Sequence, residues 1–173
     1  MSTDGTGNLH SDTTGRFEGR AAHHAELVLT RDAGTPLEAA QQFLADHADT
    51  LMIRNRNNAS GYASTPVHLP LSKMKVKSHA RNNCFRVSQA LIHQFTPEEL
   101  GADETEPIES QVWFTQHCAV LCRRGDKEWV VDFTASQFGV KDFPYVGTVE
   151  EWLEDLSADG YGAKANRVPF GGY

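Results

Sequence analysis

The chain has 173 residues, of which 39% are apolar, 23% charged and 9% aromatic; this is enough for one ordinary domain, and it excludes a wholly disordered, collagenous or disulfide-stapled chain. Lys and Arg number 16 against 23 Asp and Glu, a net charge of −7 that opposes non-specific binding to nucleic acid. No apolar run approaches the ~18 residues of a membrane-crossing helix, so no membrane partner is expected.

Residues 1–20 are mostly Gly, Ser, Thr and Asp with almost no large apolar side chain. Such a stretch cannot offset its ordering entropy, so a flexible tail is expected ahead of a single domain over residues 21–173. It lacks the basic start and apolar centre of a secretory signal; the expected location is cytoplasmic by default, with any export using a specialised route. Residues 25–31, AELVLTR, read as a short strand. Thr35, Pro36 and Glu38 then form a capping box with proline in the first turn, predicting a helix from Pro36 to about Leu51. Its apolar face is expected at Leu37, Ala40, Leu44, Ala48 and Leu51.

Residues 54–72 carry Gly61, Pro66 and Pro70 among polar neighbours and read as a long surface loop able to wall a cleft. In CFRVSQALIHQF, residues Cys84, Val87, Ser88, Leu91 and Phe95 fall on one helical stripe. Asn82 or Asn83 suits the N-cap, which sets the Cys84 thiol beside the unpaired amides and positive end of that helix. The acidic stretch TPEELGADETEPIES reads as a connection with one helical turn at Pro97 to Leu100. QVWFTQHCAVLCRR and EWVVDFTA read as two strands of a hairpin turning at Gly125 to Lys127. Thr148 and Glu151 cap a last helix whose apolar face is Val149, Trp152, Leu153 and Leu156, with Gly160 ending it.

This order places a cysteine at a helix start, a histidine 33 residues later in a strand and an aspartate 15 residues further on in the next strand. That is the layout of a Cys-His-Asp nucleophilic site, because a thiol at a helix N-terminus beside an imidazolium loses its proton near neutral pH. Strand parity tests the pairing. With Gly125 and Asp126 as a two-residue turn, position 124 opposes 127 and 119 opposes 132, so His117 and Asp132 share a face as diagonal neighbours ~7–8 Å apart at the backbone. An odd-numbered loop would turn Asp132 away and make Asp142 the rival acid; Asp126 lies in the turn itself. Cys118 and Cys122 have the opposite parity and read as small buried hydrophobes.

The blocks NNCFRVSQAL, QHCAVLCRRGDKEWVVDFTASQF and, more loosely, FPYVGTVEEWL resemble papain-fold bacterial toxin and effector domains, including the glutamine deamidase-like group. The resemblance covers about Asn82 to Leu156. It implies an α+β, papain-like fold in which a cysteine-bearing helix packs against an antiparallel sheet. It also implies Cys84 as nucleophile, His117 as general base and acid, and Asp132 as orienting acid, acting on a protein or peptide substrate, with an immunity protein as partner in the toxin case. The chain departs from the papain pattern in having Asp as the third member and no Gln shortly before the cysteine.

The first oxyanion donor is expected to be the Cys84 backbone N–H, with Asn82, Asn83 or a loop amide as the second; each Asn is equally readable as a cap. Gln116 and Gln137 are set aside, the first by parity and the second because it lies beyond the strand. The histidines outside the array show no zinc-ligand spacing and no phosphate-binding glycine loop is present, so neither a metal nor another cofactor is expected. The chemistry read from these residues is acyl transfer through a thioester. Water as acceptor gives a protein glutamine deamidase or peptidase, and an amine gives a transglutaminase. Two alternatives stand beside this: an acyltransferase or processing peptidase acting on a small substrate, and a non-enzymatic binding module in which Cys84 is core.

Overall fold

The computed structural model describes residues 34–55, 67–112, 114–157 and 166–169. The expected tail, the expected strand over residues 25–31 and the expected helix stop at Gly160 lie outside these residues.

Helix α1 spans Pro36–His47 and opens as its sequence dictates. Thr35 Oγ1 accepts from the Glu38 amide at 3.3 Å and Glu38 accepts from the Thr35 amide at 2.7 Å, a reciprocal cap whose loss costs ~1 kcal/mol. The helix ends at His47, earlier than expected, where the Leu51 amide turns back to the His47 carbonyl. Its buried face is also displaced: Ala40 and Phe43 are in the core, whereas Leu37 is 44% exposed. Phe43 sets this rotation, since its ring meets Phe95 edge-on at 4.8 Å and Phe133 at 5.9 Å, and an aromatic side chain buries more area than Leu37 offers.

The stretch expected as a surface loop is structured at both ends. Strands β1 (Met52–Arg54) and β2 (His68–Pro70) pair antiparallel, and a 3-10 turn follows over Leu71–Lys75. Pro70 is compatible with this because a two-stranded ribbon has only edge strands. A short helix α2 (Lys77–Ala80) then leads through a tight turn into α3 (Cys84–Gln94). Cys84, Val87, Ser88 and Leu91 are buried along α3, as the stripe predicts.

Among the described residues the main sheet is antiparallel, in the order β6-β5-β4-β3-β7. Its strands are β3 (Glu104–Val112), β4 (Thr115–Arg124), β5 (Lys127–Asp132), β6 (Tyr145–Gly147) and β7 (Asn166–Val168). The acidic connection expected before residue 111 is therefore strand β3 from Glu104 onward, preceded by the expected turn at Pro97–Leu100. Pro107 is tolerated because, among the described residues, β3 pairs β7 over Glu109–Gln111 alone, so no described ladder partner needs a Pro107 N–H. The single strand expected over residues 111–124 is likewise broken: Val112 opposes Thr115, so the chain reverses between them. The β4-β5 hairpin has the two-residue turn, with Arg124 opposite Lys127 and Val120 opposite Val131.

Side-chain parity gives the sheet two apolar faces. On one, Val120, Cys122, Trp129 and Val131 join Phe43 of α1 and Val87 and Leu91 of α3. On the other, Ala119, Leu121, Val130 and Ile108 pack against Trp152 and Leu156 of helix α4 (Val149–Ser157). Thr148 and Glu151 cap α4 reciprocally at 2.8 and 3.2 Å. Helices on both faces of an antiparallel sheet make the chain α+β. No helix among the described residues is long and apolar enough to cross a membrane.

Candidate active site

The site forms where β4 outruns its neighbour. In register, β5 pairs β4 only from Val120 onward, so the first residues of β4 have an open flank that the start of α3 fills. Cys84 occupies this position, in the first turn of α3 and 8% exposed. Its thiol reaches the His117 ring and the backbone amide of Cys118 for hydrogen bonding. His117 and Asp132 share a sheet face as parity requires, and Nε2 of the ring donates to Asp132 Oδ2 at 2.5 Å. Both are almost wholly buried.

Asp132 has no idle lone pair in this geometry. Oδ1 accepts from the Thr134 amide at 2.7 Å and its hydroxyl at 2.9 Å, and Oδ2 accepts from the Trp152 indole at 3.0 Å as well as from His117. Burial alone would raise the Asp132 pKa, but the charge and hydrogen bond of His117, with Trp152 and Thr134, hold it below the usual carboxylate range. For His117, burial works against the charged ring; the Asp132 charge and hydrogen bond, aided by Cys84, outweigh it and raise the pKa to about 10. Burial also pushes the Cys84 thiol up, yet the His117 hydrogen bond and charge and the Cys118 amide bring it below the ordinary thiol value. Cys118 and Cys122 behave oppositely: burial pushes both up to about 12. One thiol of the three is thus placed to ionise.

The His117 ring is held by packing as well as by its acid. Phe138 meets it edge-on at 4.9 Å and Trp152 lies against it at 5.7 Å. Gln137, set aside on sequence because it lies beyond β5, corrects that reading: a 3-10 turn over Ala135–Phe138 swings it back, and its amide nitrogen lies 2.6 Å from His117 Nδ1. With Nε2 given to Asp132, Nδ1 is the nitrogen left to serve the thiol, and Gln137 shares it.

The two asparagines part company. Asn83 stands at the N-cap position without a side-chain cap bond. Its amide instead donates to the His79 carbonyl at 2.7 Å and to Asn55 Oδ1 at 2.9 Å. It is fully buried, so it secures the turn before α3, and its amide is already engaged as a donor. Asn82 adopts a left-handed φ of 62° and lines the groove in front of Cys84. The Cys84 N–H is among the first-turn amides that helix geometry leaves without an intrahelical acceptor. Of the rival acids, Asp126 and Asp142 are both exposed, and neither joins His117.

The groove has a volume of about 1190 Å³ and is bordered by β1, α3 and the β3-β4 hairpin, with Cys84 and His117 in its lining. Gln116, dismissed by parity, lies on its rim. No three His, Cys, Asp or Glu side chains are grouped to hold a metal ion among the described residues. The arrangement defines a thiol, imidazole and carboxylate array with the thiol facing an open groove. In comparisons with protein-family models, curated proteins and solved structures, the chain matches none.

Proposed function

We propose that the protein is a thiol-dependent acyl-transfer enzyme of papain-like fold, with Cys84 as nucleophile, His117 as general base and acid, and Asp132 as the orienting acid. The observation that carries this is the convergence of two chain-distant groups behind one thiol: Cys84 shares the groove lining with His117, whose charge and hydrogen bond lower the thiol pKa, and His117 is bonded to Asp132 at 2.5 Å. A buried Cys alone has a packing explanation; a buried histidine tied to a buried carboxylate and turned toward that thiol does not need to exist for packing, since burying such a pair is costly.

The chemistry follows from the geometry. The Cys84 sulfur attacks an amide carbonyl; the tetrahedral oxyanion is stabilised by the Cys84 N–H and a donor from the Asn82 side of the groove. The imidazolium protonates the leaving amine, leaving a thioester on Cys84. Water, deprotonated by His117, then releases the acid and restores the thiol. A side-chain glutamine amide as substrate makes this a protein glutamine deamidase, and a backbone amide makes it a peptidase. The toxin or effector role implied by the sequence resemblance is the biological setting in which we place it.

The test is intact and peptide mass spectrometry of a glutamine-containing protein mixture after incubation with the enzyme. A gain of ~1 Da at glutamines, absent with Cys84→Ala, identifies the deamidase; new termini identify the peptidase; addition of a supplied primary amine identifies a transglutaminase. If none appears, and Cys84 resists iodoacetamide in the folded chain, the acyl-transfer reading is wrong.

A further inference from the structure

The groove in front of Cys84 carries a charge sign that the chain does not. The whole sequence has a net charge of −7, yet the groove lining includes Arg54 and Arg86. Arg54 sits on the outer face of β1, where burial alternates exposed, buried, exposed. Arg86 follows Cys84 by two positions on α3. Among the described residues neither side chain makes a hydrogen bond or ion pair. This contrasts with Arg123, which lies 2.6 Å from Glu106 and 2.9 Å from Glu128.

In an acidic chain, carboxylates are abundant enough to neutralise surface arginines, and Arg123 shows that this chain does so. Among the described residues, the side chains of Arg54 and Arg86 in the lining shared with this thiol are therefore available for an outside partner. The carboxylate of Glu109 in the same lining belongs to a residue only 2% exposed, so it does not present its charge to an incoming chain as the arginines do. Guanidinium groups match carboxylates in a paired, charge-assisted geometry. The negative field of the remaining surface disfavours a polyanion as large as a nucleic acid, whereas a short acidic segment meets only the groove.

We infer that the groove binds an acidic protein segment, with Arg54 and Arg86 receiving carboxylates that flank the amide presented to Cys84. Calling that segment a substrate rests on the acyl-transfer reading above; the binding preference does not. The experiment uses the Cys84→Ala chain and labelled peptides of equal length, with a central glutamine flanked by Glu, Ser or Lys, followed by fluorescence anisotropy at low and high salt. The Glu-flanked peptide should bind at least about fivefold more tightly than the Lys-flanked one. That preference should shrink in high salt and disappear in Arg54→Glu/Arg86→Glu. Folding of the double variant is checked by its thermal melt; if it does not fold, the peptide ranking and its salt dependence decide alone. Equal binding of the three peptides, a preference that survives the reversal, or displacement of the acidic peptide by a short oligonucleotide at lower concentration would each overturn the inference. Iodoacetamide labelling of the wild-type chain separates the two readings: a reactive Cys84 without acidic preference sinks the groove inference alone, and an unreactive Cys84 with acidic preference sinks the enzyme alone.

Discussion

Trp152 and His117 donate to the same oxygen of Asp132, the indole at 3.0 Å and the ring at 2.5 Å. The indole ring also packs on the imidazole it helps to position. A residue that the apolar pattern of α4 marks as core is thus also a polar support of the acid.

Replacing Trp152 by Phe keeps an aromatic in the core but leaves Asp132 Oδ2 one donor short. An unmet partner on a buried charged group costs about 1–3 kcal/mol, and denaturant unfolding should show a loss of at least this size. Because the carboxylate is then held less firmly in its charged form, the thiolate of Cys84 should also appear at higher pH. A variant with wild-type stability and an unmoved thiol titration would show that the indole bond contributes nothing.

The thiol and the ring set the pH window. Cys84 has a lowered pKa, so its thiolate is present above that value and lost as pH falls through it; His117 is raised to about 10, so the imidazolium is lost as pH rises through that value. The ion pair, and the activity that depends on it, should therefore span the interval between the two. For stability, the His117 contribution is complete below its ordinary pKa of ~6.5 and vanishes as pH rises through about 10, while those of Asp132 and Cys84 vanish as pH falls. Absorbance near 240 nm against pH should show one thiol ionising early and two that do not ionise until far above it. In His117→Ala the early step should move up, and brief iodoacetamide treatment near pH 6 should stop labelling Cys84. An unchanged titration in that variant means the pair is not coupled.

How much of this was legible in the chain depends on the range of the forces involved. The His117–Asp132 pairing was readable because Gly125 and Asp126 fix a two-residue turn, and a strand's period of two then determines the face of every residue. The caps at Thr35 and Thr148 were readable because they involve residues three apart. Strand β3 was hidden by Pro107 and its acidic neighbours, which are acceptable where the described β7 pairing does not reach. The burial of Phe43 in place of Leu37 depended on where Phe95 and Phe133 lie, and that information is not local. Asn83 looked like a cap, but Asn55, 28 residues away, draws its amide elsewhere. Gln137 and Trp152 carried one available signal, a polar group immediately beyond the acid's strand and an indole on a capped helix, but no spacing rule says which nitrogen or oxygen they will meet.

Gln137 places its amide nitrogen 2.6 Å from His117 Nδ1, a contact that can be a hydrogen bond only while that atom carries a lone pair, so it opposes proton transfer from Cys84 to the ring. Gln137→Leu removes the donor and leaves Nδ1 to the Cys84 proton alone. Iodoacetamide should then modify Cys84 a few times faster at pH 6, while turnover falls because the ring has lost one of its two polar restraints. A rate of alkylation equal to or below the wild type would mean that Gln137 does not compete for that nitrogen.

Asp132→Asn is the sharpest trial of the whole array, because the three candidate acids sit in different environments. Asp126 and Asp142 are exposed and Asp132 is 2% exposed, with donors from His117, Trp152 and Thr134 around it. Asparagine preserves its size but brings an amide, which has one acceptor oxygen where the carboxylate has two; the two donors at the oxygen that is replaced lose their acceptor and the imidazolium loses its counter-charge. Breaking a buried pair in this way costs about 3–5 kcal/mol, so unfolding should shift well beyond the effect of Asp126→Asn or Asp142→Asn, for which changes within ~0.5 kcal/mol are expected at surface positions. In a serine triad the corresponding change lowers turnover by ~10⁴. The loss of kcat/KM here should be smaller, though still above about tenfold, because the resting thiolate already gives the imidazolium one partner. The three variants are compared on one substrate and corrected for the folded fraction. Damage from Asp142→Asn together with a silent Asp132→Asn would require a different acid behind His117, and with it a different register for the β4-β5 hairpin.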